Sequence, residues 1–62
     1  MSNSNLLGQW EELKVLVESL ELDVHKNANG NKSAGVRARK GLRLVKQKSA
    51  DLVKASLSVS KE

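Results

Sequence analysis

The stretch LLGQWEELKVLVESLELDV, residues 6–24, decides the fold. Within it Leu6, Trp10, Leu13, Val17, Leu20 and Val24 recur at spacings of 4, 3, 4, 3 and 4. At about 3.6 residues per turn, those spacings gather all six on one stripe of an α-helix, as along a heptad seam. Leu7 and Leu16 widen the stripe, and Glu11, Glu12, Lys14, Glu18 and Glu21 fall largely outside it. Ser2, Asn3, Ser4 and Asn5 all carry side-chain oxygens able to accept from the first free N–H groups of a helix, and the sequence does not choose among these N-caps. The pattern predicts a helix over about 5–26.

Asn27-Ala28-Asn29-Gly30-Asn31 is the one break. Asn and Gly tolerate left-handed backbone and compete with the helix for its hydrogen bonds, so a loop is expected over about 27–32. Asn31 or Ser33 can then cap a second helix, over about 33–58. There Ala38, Leu42, Val45, Ser49, Leu52, Ser56 and Val59 repeat the spacing, with Leu44, Val53 and Leu57 beside them. These side chains are smaller than those of the first stripe. Gly35, Ala38, Gly41 and Ser49 would let another helix come close, with the Leu and Trp side chains of the first helix filling the gap. Ser58 to Glu62 are expected to fray. The fold class is therefore all-α: residues 1–62 form a single domain, an antiparallel helical hairpin.

At 62 residues, 39% apolar, with Trp10 as sole aromatic and no Cys or Pro, the chain has little with which to build a core. Ordering costs roughly 1.5 kcal/mol per residue, and there is no disulfide or Cys-based metal site to help. Two helices cannot cover both wide stripes. Pairing of two hairpins into a four-helix bundle is expected, a homodimer whose core draws on Leu6, Trp10, Leu13, Val17, Leu20, Leu42, Val45 and Leu52. No run approaches the ~18 apolar residues that span a bilayer, and acids interrupt Leu13 to Val24, so neither a membrane partner nor a signal peptide is expected. The chain reads as soluble and cytoplasmic.

The net charge of +4 divides unevenly. Residues 1–24 carry five acids against Lys14, a net of −4, and residues 25–62 carry ten Lys and Arg against Asp51 and Glu62, a net of +8. A basic half of this density is the footprint of a polyanion binder. The candidate nucleic-acid-binding residues are Lys32, Arg37, Arg39, Lys40, Arg43, Lys46 and Lys48. At about 100° per residue, Arg39, Arg43 and Lys46 share one face, with Arg37, Lys40 and Lys48 on its flanks. Cations at a helix N-terminus oppose its dipole, but together with the free N–H groups there they suit a phosphate. Glu21 and Asp23 would lie opposite Arg37 or Lys40 in a hairpin and neutralise part of the run. Five acids leave a surplus of base. Nothing reads base edges, so double-stranded DNA would be gripped by its phosphates, and RNA fits the same charge pattern.

Other chemistries find little support. Trp10 could stack on a base, yet it lies on the apolar stripe and has no neighbouring aromatic, which fits a core role better. His25 near the end of the first helix suits the dipole, and one His without Cys or a tight carboxylate cluster makes a poor metal site. Ser, His and Asp occur without a strained elbow or phosphate loop to organise them. No catalytic residues, metal or cofactor are expected, and the chain reads as a non-enzyme. The competing reading is a small helical protein–protein interaction module whose apolar stripes bind another protein's helix.

The segment GNKSAGVRARKGLRLVKQKSADLVKASL, residues 30–57, resembles the bacterial histone-like family, best known from the chlamydial linker-histone-like DNA-condensing proteins. The cue is Gly30, Asn31 and Lys32, then Arg37, Arg39 and Lys40 leading into a Leu/Lys helix. The preceding QWEELKVLVESLELDVHK, residues 9–26, is similar to that family's acidic first helix. The resemblance implies a nucleoid-associated protein that binds DNA with little sequence preference and condenses it, with Lys32, Arg37, Arg39, Lys40 and Arg43 as phosphate contacts. These residues lack the Lys/Ala/Pro-rich tail of the chlamydial members, so in this short form compaction would have to come from the folded part.

Overall fold

A computed structural model describes residues 2–59, which form two α-helices: α1, Ser2–Ala28, and α2, Lys32–Val59. They pack side by side as an antiparallel hairpin about 48 × 14 × 11 Å in extent. Each helix runs a little beyond its expected ends. Of the fraying expected over Ser58 to Glu62, Ser58 and Val59 are instead helical, as part of α2, and positions 60–62 lie outside the described residues.

The turn is shorter than the sequence suggests, because Asn27 and Ala28 remain helical. What ends α1 is Gly30, whose φ of 101° lies in the left-handed region that a side chain would resist. Around it, the Gly30 N–H donates to the Asn27 carbonyl (2.9 Å) and the Asn31 N–H to the Lys26 carbonyl (3.0 Å). Those two bonds form the Schellman arrangement, which satisfies carbonyls that the end of α1 would otherwise leave open. Asn31 then begins the next helix. Its Oδ1 accepts from the Ala34 N–H at 2.9 Å and its carbonyl from the Gly35 N–H at 3.2 Å. Of the two candidate caps, Asn31 serves, and Ser33 lies inside α2.

Which residues meet between the helices follows from size. On α2 the residues pressed against α1 are Ala34, Gly35, Ala38 and Gly41, all buried. With so little side chain between them the backbones come close, and Leu20 fills the space over Gly41. On α1 the covered positions run Leu6, Gln9, Leu13, Leu16, Leu20 and Asp23; on α2 they continue through Val45, Lys48, Ser49, Leu52 and Ala55.

The expected stripe is thus divided. Leu13 and Leu20 are buried, and Leu6, Val45 and Leu52 are half-buried. Trp10, Val17 and Leu42 stand 47%, 50% and 50% exposed, so within one chain they are not core. A seam between two helices is one row wide, and the stripe read from the sequence is wider than that. Its positions 10, 17 and 24 sit beside the seam, on the face shared with Leu42 and Ser49. The buried hydrophobic set among the described residues is Leu13, Leu20, Ala34 and Ala38.

Candidate nucleic-acid interface

Gly30 is the hub of the hairpin, and residues equally far from it face each other. Asp23 and Arg37, each seven residues away, meet: Asp23 Oδ1 accepts from Arg37 Nε at 3.1 Å and lies 3.0 Å from Nη2. Glu12 and Lys48, each eighteen away, also meet, with Lys48 Nζ 3.7 Å from Glu12 Oε1. Both pairs lie on the same side of the seam, opposite the side that carries Trp10 and Val17.

The seven candidate cations therefore separate into two groups. Arg37 and Lys48 are engaged with acids of α1, as the sequence anticipated for Arg37. Lys32, Arg39, Lys40, Arg43 and Lys46 are exposed, and among the described residues no acid pairs with them. Glu21 does not reach across. It lies 3.6 Å from His25 Nε2 on its own helix, and Glu11 lies 3.4 Å from Lys14 Nζ.

Lys32, Arg39, Arg43 and Lys46 fall within an arc of about 60° on α2, and Lys40 lies further round the outer flank. From Lys32 to Lys46 the arc covers about 21 Å at ~1.5 Å per residue. A duplex of that length presents roughly twelve phosphates, so several cations can be matched at once. The Arg39 side chain turns back along its helix, its Nη1 3.1 Å from where a Cβ on Gly35 would sit. At the start of α2, Asn31 occupies the Ala34 N–H, so the N–H groups left facing outward beside Lys32 are those of Lys32 and Ser33.

This arrangement can hold anions. Its donors are spread along a convex helix surface, which suits a polymer of phosphates rather than a small molecule enclosed in a pocket. Among the described residues no cluster of three or more His, Cys, Asp or Glu could hold a metal ion, and no helix is long and apolar enough to cross a membrane. The sequence reading missed the Glu12–Lys48 pair. Its signal was available once Gly30 was known to be the hub, since equal spacing from that residue identifies the partners.

A family model for the histone H1-like protein Hc1 matches residues 8–62, which include most of α1, the turn, all of α2 and every candidate cation. No curated protein and no solved structure matches the chain. With the acidic residues of α1, the Gly30 turn and the basic second helix all inside the match, the chain belongs to the histone H1-like protein Hc1 family.

Proposed function

We propose that this is a non-enzymatic, nucleoid-associated DNA-binding protein that grips the phosphate backbone with little sequence preference and works as a homodimer. The observation that carries the reading is the set of exposed cations on α2, Lys32, Arg39, Lys40, Arg43 and Lys46, with no acid pairing them among the described residues. Membership of a histone H1-like family supports it. Phosphate contacts of this kind position a protein on a duplex without reading bases.

The test is a gel shift on two unrelated duplexes across a salt series. If about four cations of a chain reach phosphates, log affinity falls with log salt at a slope of roughly −4 for each bound patch. Replacing Lys40 and Arg43 by Ala should halve that slope equally on both duplexes. Tighter binding to duplex RNA or to single strands would move the polyanion from DNA to RNA. Unchanged binding by the Lys40→Ala/Arg43→Ala chain at every salt concentration would remove this face as the site. The exposed Trp10, Val17 and Leu42 favour one second reading, an interaction module for another protein's helix, and that reading would then lead.

A further inference from the structure

The hairpin has two unlike sides. One is tied by the Arg37–Asp23 and Lys48–Glu12 pairs, with Val15 exposed beside the second of them. The other is apolar: Trp10, Val17 and Val24 of α1 and Leu42 and Val53 of α2 are all exposed on it. Shallow grooves run along it, one between Leu6, Trp10 and Leu52, another between Val17, Val24, Leu42 and Val45. The hairpin as a whole extends 48 by 14 Å, which leaves room along this side for a contact approaching the ~800 Å² per partner that a standard interface buries.

We propose that a second copy of the chain covers this side, with the two-fold axis parallel to the helices, so that α1 of each copy lies on α2 of the other and both turns emerge at the same end. The inference rests on the dimeric reading above and specifies its geometry. Two complementarities select it over the alternative, an axis across the helices that would stack α1 on α1 and α2 on α2.

The first is size. Along this face α1 presents Trp10, Val17 and Val24, whereas α2 presents Leu42 and Ser49. An axis along the helices preserves height, which puts Trp10, twenty residues before Gly30, over Ser49, nineteen after it. It likewise puts Val17 beside Leu42, so the one large ring meets a small residue and the two aliphatic side chains meet each other.

The second is charge. The α1 edge of the face carries Glu18 and Glu21, and Lys14 there is held by Glu11. The α2 edge carries Arg39 and Lys46. Glu21 and Arg39 each lie nine residues from Gly30, so the same axis brings acid to base at equal height; Lys14 and Lys46, each sixteen away, also come level, with Glu11 on Lys14 offsetting that contact. The alternative would set Arg39 and Lys46 of one copy against those of the other, and like charges facing across an interface are strongly unfavourable.

A consequence bears on DNA. In this dimer Arg39 is taken up by the interface, while Lys32, Lys40 and Arg43 remain on the outer flank of α2. The two copies then present these outer patches at the same end of the bundle but on opposite flanks. Such a dimer bridges two duplexes, where the alternative would build one continuous basic strip.

The sequence has no Cys, so Asn29→Cys in the exposed turn places one spin label on each chain. With the axis along the helices, the label–label distance measured without DNA is under about 25 Å, a bundle width plus two label arms. With the axis across them it is about 40 Å, the length of a helix. The longer distance, or a monomer by light scattering at the labelling concentration, overturns the proposal. Glu21→Arg should weaken association about tenfold, and adding Arg39→Glu should restore it. No recovery in the double variant also overturns it. Because these measurements use no DNA, failure of the axis is distinguishable from failure of the phosphate site, which the Lys40→Ala/Arg43→Ala chain tests with the dimer left intact.

Discussion

Replacing Gly41 by Ala isolates how closely the two helices pack. Gly is a poor helix former, and Ala in its place gains about 0.5–1 kcal/mol in a helix interior. Gly8, in α1, supplies the control: a Cβ there meets nothing within 4 Å, so Gly8→Ala should stabilise by that amount. At Gly41 the new Cβ lands inside the Leu20 side chain, with Leu20 Cδ1 and Cγ both 3.0 Å away. Leu20 is one of the few buried hydrophobic side chains and is branched where the methyl would enter. It must leave its place or the helices must separate, at an overpacking cost of about 1–3 kcal/mol. The propensity gain is common to both variants and cancels in the comparison. Gly41→Ala should therefore be less stable than Gly8→Ala by about 1–3 kcal/mol. In a domain of this size each kcal/mol moves the melting temperature by about 4–8 °C. Circular dichroism melts at one fixed chain concentration make the comparison, because association shifts apparent stability. If Gly41→Ala melts at or above the temperature of Gly8→Ala, the close approach of α2 to Leu20 is wrong.

Three further outcomes are expected. Asn31→Ala removes the side-chain acceptor for the Ala34 N–H and should cost about 0.5–2 kcal/mol, read as a lower urea midpoint with unchanged slope. Arg37→Ala breaks a partly exposed ion pair, so stability should fall by only about 0.2–1 kcal/mol. In the gel shift it should lose far less affinity than Lys40→Ala/Arg43→Ala, because Asp23 already occupies its guanidinium. Trp10→Ala should raise the dimer dissociation constant, checked by sedimentation. In the parent chain the single Trp should shift its emission to shorter wavelength as concentration rises, and emission that stays constant from monomer to dimer would remove Trp10 from the interface.

The sequence alone determined that there are two helices, where they turn and how charge divides between them. The spacing of Leu6, Leu13 and Leu20, the Gly30 break with Asn31 after it, and the contrast between acidic α1 and basic α2 are local properties, written in neighbouring residues. Family membership was legible for the same reason, since the motif lies along one continuous segment. Only the tertiary structure decided which row of each stripe enters the seam. A period of alternating 3 and 4 residues fits positions 10, 17 and 24 as well as 9, 16 and 23, because a helical stripe is wider than a two-helix contact. Ala34, Gly35, Ala38 and Gly41 settled the choice by letting the backbones approach along their own row, which left Trp10, Val17 and Leu42 outside. The same rotation paired Arg37 and Lys48 with acids of α1 and left Lys32, Arg39, Lys40, Arg43 and Lys46 facing outward. Charge can be counted in a sequence, but which charges are neutralised depends on which residues stand opposite one another across the seam.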